Sequence, residues 1–410
     1  MPGDGRIVYL DNAATSWPKP PAVGEAMAAF LRDSGGNPGR SGHRLSLAAG
    51  RVVAEARDAV ASALGLSDWL GVALMANATA AINAALFGFL KPGDRVVADG
   101  MAHNATARPL TELARRGVDV SWARADGAGR LDLDDFERLI RGDAHNDARG
   151  EPARMAVVTH GSNVSGALAP LQEIAAICGR HGTLLLVDAA QTAGVEDIGL
   201  DALGAAVVAF TGHKGMLGPG GTGGLAFGPG ADAAAFRQFV RGGTGSSSDC
   251  EDHPDFMPDR FEAGTANGPG LAGLLAGLRW IESRGRSALR DGELAATERL
   301  ADGIRDIPGA VVLGPGNGRP RCAVMSFTLD GWSVSDLAFE LDDRYGVLCR
   351  VGLHCAPRAH RSLGTFPDGT ARFAPGPFTT AEDIDYAIAA VAELAAERAS
   401  GRADGAGARA

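Results

Sequence analysis

No stretch of this 410-residue chain reaches the roughly 18 continuous apolar residues that a membrane-spanning helix needs. Cysteine is scarce. Cys178, Cys250, Cys322, Cys349 and Cys355 are odd in number and widely spaced, which argues against a disulfide framework. No block of basic residues occurs, and the formal net charge is −10, so neither nucleic acid nor an anionic membrane is expected as the main partner. The first residues lack the basic-then-apolar pattern of a signal peptide. No internal repeat is visible. These absences lead us to expect a cytoplasmic protein. What is present is ordinary globular composition, 45% hydrophobic and 21% charged, at a length that suits two domains.

From about Ala22 to Leu225, helical and strand patterns alternate. Helices are predicted at Val23 to Leu31, Leu45 to Leu64, Ala80 to Phe89, His103 to Arg115 and Leu171 to Cys178. Short apolar runs between them end in polar residues: Val72 to Met75, Arg95 to Ala98, Met155 to Thr159, Leu184 to Val187 and Val207 to Phe210. That is the texture of buried parallel strands with crossover helices, an α/β fold. Ligands bind such sheets at the carboxyl ends of the strands. Asn77, His103, His160, Asp188 and His213 all fall at or just past such ends, which predicts one shared site.

Residues 141–152 read as a surface loop, and 241–260, rich in Gly, Ser and Asp, as a mobile one. After Gly268 the texture changes. Helical stretches at Leu271 to Ile281, Ala288 to Ile304 and Val334 to Asp342 surround a strand at Ala323 to Phe327. The expected organisation is an N-terminal segment (1–21) packing with the small domain, a large domain (22–268), a small α+β domain (269–399) and a disordered tail (400–410).

The chemistry centres on Thr211-Gly212-His213-Lys214. The lysine lies between the apolar run Ala205 to Phe210 and the flexible run Gly218 to Gly221, so its amine belongs inside a site. Asp188, at the end of an earlier strand, supplies a fixed negative charge. An amine nucleophile plus a strand-end carboxylate suits pyridoxal phosphate (PLP): the lysine forms a Schiff base and the carboxylate keeps the pyridine nitrogen protonated. Alone, Asn77-Ala78-Thr79 would be an ordinary helix cap; beside Lys214 it reads as a phosphate cradle. His103 would otherwise be a helix-start histidine, and in this company it suits stacking on a planar cofactor. Gln191 and Asn163 can donate to the ring oxygen. Cys355, in a Gly- and Pro-bearing loop with Arg350 and His354, is a candidate nucleophile rather than a small buried hydrophobe. Cys349, His354, Cys355 and His360 could in principle ligate a metal, but the adjacent His354-Cys355 pair and the lack of Cys-x-x-Cys argue against zinc, and no metal is expected. Arg372, with apolar neighbours Phe373 and Ala374, suits an α-carboxylate.

These motifs, with Tyr9 to Thr15, Ser162 to Gly166, Phe261 to Thr265 and Gly352 to Ala356, resemble the class V aminotransferase superfamily from Tyr9 to about Leu394. Within it the chain is similar to the cysteine desulfurase and selenocysteine lyase group. The resemblance implies a fold-type I PLP enzyme with a mostly parallel seven-stranded sheet, acting as a homodimer. It implies that Lys214 is the Schiff-base lysine, that His103 stacks on the ring and that Asp188 pairs with its nitrogen. Gln191 and Asn163 would bind the ring oxygen. Ala78, Thr79, Thr211 and His213 would hold the phosphate, and Thr265 would reach the phosphate of the neighbouring subunit. Ala13, Asn163, Arg350 and Arg372 would bind the substrate. Cys355 would take sulfur from L-cysteine as a persulfide, releasing L-alanine, and pass it to an acceptor such as a small carrier protein. A selenocysteine lyase, another C–S lyase or an aminotransferase is the alternative; Lys214, Asp188 and His103 argue against a non-catalytic scaffold. Two departures stand out: Ala80 where relatives often carry Glu, and a segment from Phe373 to Thr380 with two prolines beside the substrate site.

Overall fold

The computed structural model describes residues 6–39, 41–143 and 151–407. Residues 144–150 of the expected surface loop and 408–410 of the expected tail lie outside the described residues.

The strands, in chain order, are β1 Val8–Tyr9, β2 Val72–Met75, β3 Arg95–Asp99, β4 Asp119–Ala123, β5 Met155–Thr159, β6 Leu184–Asp188, β7 Ala206–Thr211, β8 Gly223–Phe227, β9 Ala310–Leu313, β10 Met325–Leu329, β11 Val347–Leu348, β12 Arg350–Gly352 and β13 Thr370–Phe373. Seven of them form the main sheet in the order β2-β8-β7-β6-β5-β3-β4. Pairing is parallel throughout β4, β3, β5, β6 and β7, and only β8 runs against the others. The direction of winding reverses between β3 and β5, which opens a crevice past their carboxyl ends.

The central strands are buried on both faces, and alternate residues feed two cores. Val97, Ala156, Val158, Leu185, Val187, Val208 and Phe210 pack beneath the helices Arg44–Leu64, Leu171–Arg180 and Gly268–Arg284. Val96, Ala98, Val157, Leu186, Val207 and Ala209 pack beneath Ala78–Phe89 and Asn104–Arg115. Each strand shows near-continuous apolar sequence because neither face meets water.

A third core joins Leu300, Phe327, Leu341, Phe373 and Val391 under the antiparallel sheet β12-β13-β10-β9. The amino-terminal strand β1 pairs in parallel with β11, and Asp11 bridges to Ala374 next to β13. The last helix runs Ala381–Gly407, so its backbone enters the stretch expected to be a loose tail.

The predicted helices lie within a few residues of those observed. His103 is an N-cap rather than the first helical residue, its Nδ1 accepting the Ala105 N–H at 3.0 Å. The strand predicted at Ala323 to Phe327 is shifted to Met325–Leu329. Beside β9, β11, β12 and β13 of the smaller sheets, two strands of the main sheet escape the sequence pattern. β4 is an edge strand with alternating polar residues, and β8 begins with Gly223-Gly224. At Gly223 a Cβ would lie 2.7 Å from Asn77 Cα, so the missing side chain lets β8 approach the β2 turn.

Glu293, on the helix Arg286–Arg305, is a half-buried titratable group that forms no ion pair among the described residues. Burial pushes its carboxyl up to about 8, and the neighbouring Glu196, itself tied to Arg290 at 2.7 Å, pushes the same way. The folded state therefore holds a proton that the unfolded chain releases near 4.5, and stability falls as pH rises from there through 8. Glu293→Gln is expected to melt at the wild-type temperature at low pH and above it at pH 8. Equal melting temperatures at both pH values would contradict this assignment.

Candidate active site

A cavity of about 210 Å³ opens at the carboxyl ends of β5, β6 and β7. Its walls include Asn77, Ala78, Thr79, His103, Asn163, Asp188, Gln191, Thr211, His213 and Lys214. The topology explains this convergence, since each residue ends a strand or begins the turn after it. Asn77 caps the helix Ala78–Phe89, its Oδ1 accepting from the Ala80 N–H at 2.9 Å. The first turn of that helix, with Ala78 and Thr79, therefore presents backbone N–H groups and the positive end of the helix dipole to the cavity.

Lys214 follows β7 and is deeply buried. Burial pushes its amine down to about 8; the Asp188 charge opposes the shift, while Arg372 and Arg350 add to it. Burial raises the Asp188 carboxyl, and the Ala190 N–H (3.0 Å to Oδ1) and the Lys214 charge oppose that. Burial, then Lys214, Arg350, Arg372 and Arg108, push His103 down to about 4. Its ring is neutral near pH 7, and with Nδ1 accepting from Ala105 the proton sits on Nε2. His213 is likewise held down to about 4 by burial, with Lys214 and Lys19 adding to it.

Asn163 and Gln191 of these walls also hold neighbouring backbone, and the remaining expected site residues lie outside the cavity. Asn163 Nδ2 donates to the His354 carbonyl at 2.8 Å, while its buried Oδ1 has no partner. Gln191 Nε2 donates to the Ala13 carbonyl at 3.0 Å. Ala13 borders a smaller neighbouring cavity shared with Gln191, Glu293 and Pro375 to Pro377. Arg372 is buried; its Nη2 meets Asp11 Oδ1 at 2.5 Å, its Nη1 the Asn163 carbonyl at 3.1 Å, and its Nε has no partner. Cys355 is exposed outside the cavity, with Arg350 Nη2 3.4 Å from Sγ. Thr265 lines a different cavity with Arg57, Glu262 and Trp69.

His160 departs from the expected shared site. Its side chain follows Thr159 on the strand, so it projects to the opposite face, and its Nδ1 lies 2.9 Å from Thr192 Oγ1. Conversely, the sequence reading passes over Asp99, although it ends an apolar strand as Asp188 does. Asp99 Oδ1 accepts from the Met101 N–H at 2.7 Å and Oδ2 from the Thr159 N–H at 2.5 Å, tying the two sides of the crevice together. Burial raises its carboxyl to about 6. Ser16 and Lys19 were also passed over. The His213 carbonyl accepts from the Ser16 N–H (3.1 Å), Thr15 Oγ1 (3.1 Å) and Lys19 Nζ (2.8 Å), so the N-terminal segment clips the Lys214 turn in place. No local pattern reveals that contact, because its partners are almost two hundred residues apart.

The donor set fits PLP. An unprotonated amine is accessible at mild pH, a buried carboxylate awaits a cation, Asn163 Oδ1 is an unpartnered buried polar atom, and a helix N-terminus suits a phosphate.

Comparison with known proteins agrees with the fold. The family model "Aminotransferase class-V" matches residues 8–387. A probable cysteine desulfurase of Methanothermobacter thermautotrophicus is 34% identical over 95% of this chain and 94% of its own. A cysteine desulfurase of Haloferax volcanii is 30% identical over 94% of this chain and 88% of its own. Among solved structures, the apo cysteine desulfurase of Thermococcus onnurineus superposes with a TM-score of 0.87 at 31% identity, covering 95% of each chain. An Escherichia coli cysteine desulfurase in an S-sulfonic acid form gives 0.80 at 27% identity, covering 95% of this chain and 94% of its own. The chain belongs to the class V aminotransferase family and has the fold-type I architecture of its PLP-dependent enzymes. Within that family, these relatives carry the name cysteine desulfurase.

The buried amine makes a direct prediction. In the cofactor-free protein, acetylation of Lys214 followed by peptide mass spectrometry should show a half-maximal rate near pH 8. A midpoint at the ordinary lysine value of 10.5 would mean that the amine is solvated.

Proposed function

We propose that this chain is a PLP-dependent cysteine desulfurase that converts L-cysteine to L-alanine and carries the sulfur on Cys355 to an acceptor. The observation that carries this reading is the placement of Cys355. His354 and Cys355 occupy consecutive left-handed backbone positions, φ 48° and 56°, which present an exposed thiol beside the buried amine's cavity. The turn is held by the Asn104 N–H on the Cys355 carbonyl (2.7 Å) and by Asn163 Nδ2 on the His354 carbonyl. Transamination needs no thiol there.

Bound PLP would supply an electron-accepting ring that stabilises negative charge at the amino acid's Cα. In this reading Lys214 anchors it and later moves the proton at Cα, and Asp188 keeps the ring nitrogen protonated. Neutral His103 stacks on the ring, and Gln191 and Asn163 orient it. Ala78, Thr79, Thr211 and His213 bind the phosphate, with Thr265 of a second copy completing that site in a homodimer. Arg372 offers its unpartnered Nε to the substrate carboxylate, with Arg350 and the Ala13 backbone nearby. The cysteine C–S bond breaks with its electron pair left on carbon, which takes a proton to give alanine. The sulfur bonds to the Cys355 sulfur, giving a persulfide. The five free thiols suit a reducing cytoplasm.

One observation favours a second reading, a C–S lyase or selenocysteine lyase. Pro375, Gly376 and Pro377, from the two-proline segment noted in the sequence, wall the small cavity next to Gln191.

The test is alanine and sulfide release from L-cysteine with a thiol reductant. Lys214→Ala is expected to lose activity by about 1,000-fold or more. Cys355→Ala should keep the yellow cofactor and lose persulfide formation; unchanged sulfide release by that variant would favour the lyase.

A further inference from the structure

The chain is acidic overall, yet the surface around Cys355 is not. Arg350 lies beside the thiol, and Arg358 and Arg361 stand on the helix Pro357–Ser362 that begins two residues after it. Arg108 lies one turn along the helix whose first N–H, that of Asn104, holds the Cys355 carbonyl. Among the described residues none of the four forms a salt bridge. Arg57, Arg124, Arg138, Arg290 and Arg344 meet carboxylates, and Arg237, Arg260 and Arg321 donate to backbone carbonyls. Asp368 stands on the loop beyond the helix and pairs with none of the four.

Two of these arginines are also preorganised. The Arg358 guanidinium lies 3.5 Å from the centre of the Trp122 ring, and that of Arg361 lies 4.2 Å from the centre of the Phe366 ring. Phe366 is 42% exposed. Arginine stacked on aromatic rings retains its outward N–H groups while losing little entropy on contact. Arginine and aromatic side chains together are the composition of interface hot spots.

We propose that Arg108, Arg358 and Arg361 form a docking surface for an acidic protein that receives sulfur from Cys355. This rests on the sulfur-carrying reading above. A net charge of −10 repels an acidic partner from most of the surface, so one basic rim orients the encounter toward the thiol. Transfer needs no outside oxidant. The acceptor's thiolate attacks the terminal sulfur of the Cys355 persulfide, the S–S bond breaks, and its electron pair returns to Cys355 as thiolate. Arg350, 3.4 Å from Sγ, stabilises that leaving thiolate.

The test uses the PLP-loaded full chain and a fluorescent polyglutamate peptide ending in cysteine, with a Gly-Ser peptide and single-stranded DNA as controls. The polyglutamate is expected to bind in a salt-sensitive manner and to accept sulfur faster than the Gly-Ser peptide. Arg358→Glu with Arg361→Glu should lower both by about ten-fold, while reductant-driven alanine release stays at the wild-type rate. Arg108→Glu, at an exposed site without partners, provides a variant that leaves the stacked rings intact. Polyglutamate binding that survives in both variants would overturn the proposal. So would DNA binding at the same face as tightly as polyglutamate. Charge-dependent binding without alanine formation from cysteine would uphold the surface and reject the desulfurase reading.

Discussion

A buried amine and a buried carboxylate facing one cavity set the terms for the rest of this molecule. Taking Lys214 and Asp188 out of water is costly for each, and the structure responds by weakening both charges. The amine comes down and the carboxyl goes up, each restrained by the other. Arg372 and Arg350 raise the local positive potential, which favours the neutral amine further. Such an arrangement is poor for stability and suited to a ligand that brings both a cation and a carbonyl. Burial, with the Lys214 charge adding to it, keeps His103 and His213 neutral, so their rings act as planar surfaces and hydrogen-bonding groups rather than charges.

Holding that pair in register requires elements far apart in sequence. The Lys214 turn is otherwise held by the end of β7 and by its own backbone, the Leu217 N–H on the Lys214 carbonyl and the Gly218 N–H on the Gly212 carbonyl. The N-terminal segment adds support from outside by crowding four donors onto the His213 carbonyl and placing Ser16 Oγ on the Lys214 carbonyl at 3.0 Å. The same segment provides Asp11 to Arg372 and accepts Gln191 on the Ala13 carbonyl. One short stretch thus joins the main sheet, the cavity and the β13 strand. Asp99 performs the corresponding task across the crevice, where its two oxygens join the ends of β3 and β5.

Much of this was legible because burial on both faces leaves a simple mark: an apolar run that stops at a polar residue. β5, β6 and β7 carry that mark, and with it Asp188 and Lys214. β4 does not, since Asp119 and Ser121 interrupt an edge strand, and β8 does not, since its glycines serve the close approach to Asn77. His160 misled for a reason of periodicity: proximity to a strand end does not say which face a side chain takes, and Thr159 holds the cavity side. Resemblance to a family named the site residues that pattern alone left open, such as Thr265, whose own cavity lies apart.

The position of Cys355 is the hardest feature to explain without a function. Left-handed backbone in a non-glycine residue costs about 1–2 kcal/mol, and here two such residues are adjacent. A turn of this kind persists only when its surroundings over-determine it. They do: the Cys355 and His354 carbonyls are each held by a donor from another element, and His354 Nε2 lies 2.9 Å from Thr370 Oγ1. The thiol itself takes no part in this bracing. Its nearest polar partner is the Arg350 guanidinium, and burial keeps the adjacent His354 ring neutral, down at about 2. A backbone strained to expose a sulfur atom, with only a permanent cation beside it, suits a group that must accept an atom on one side and surrender it on the other.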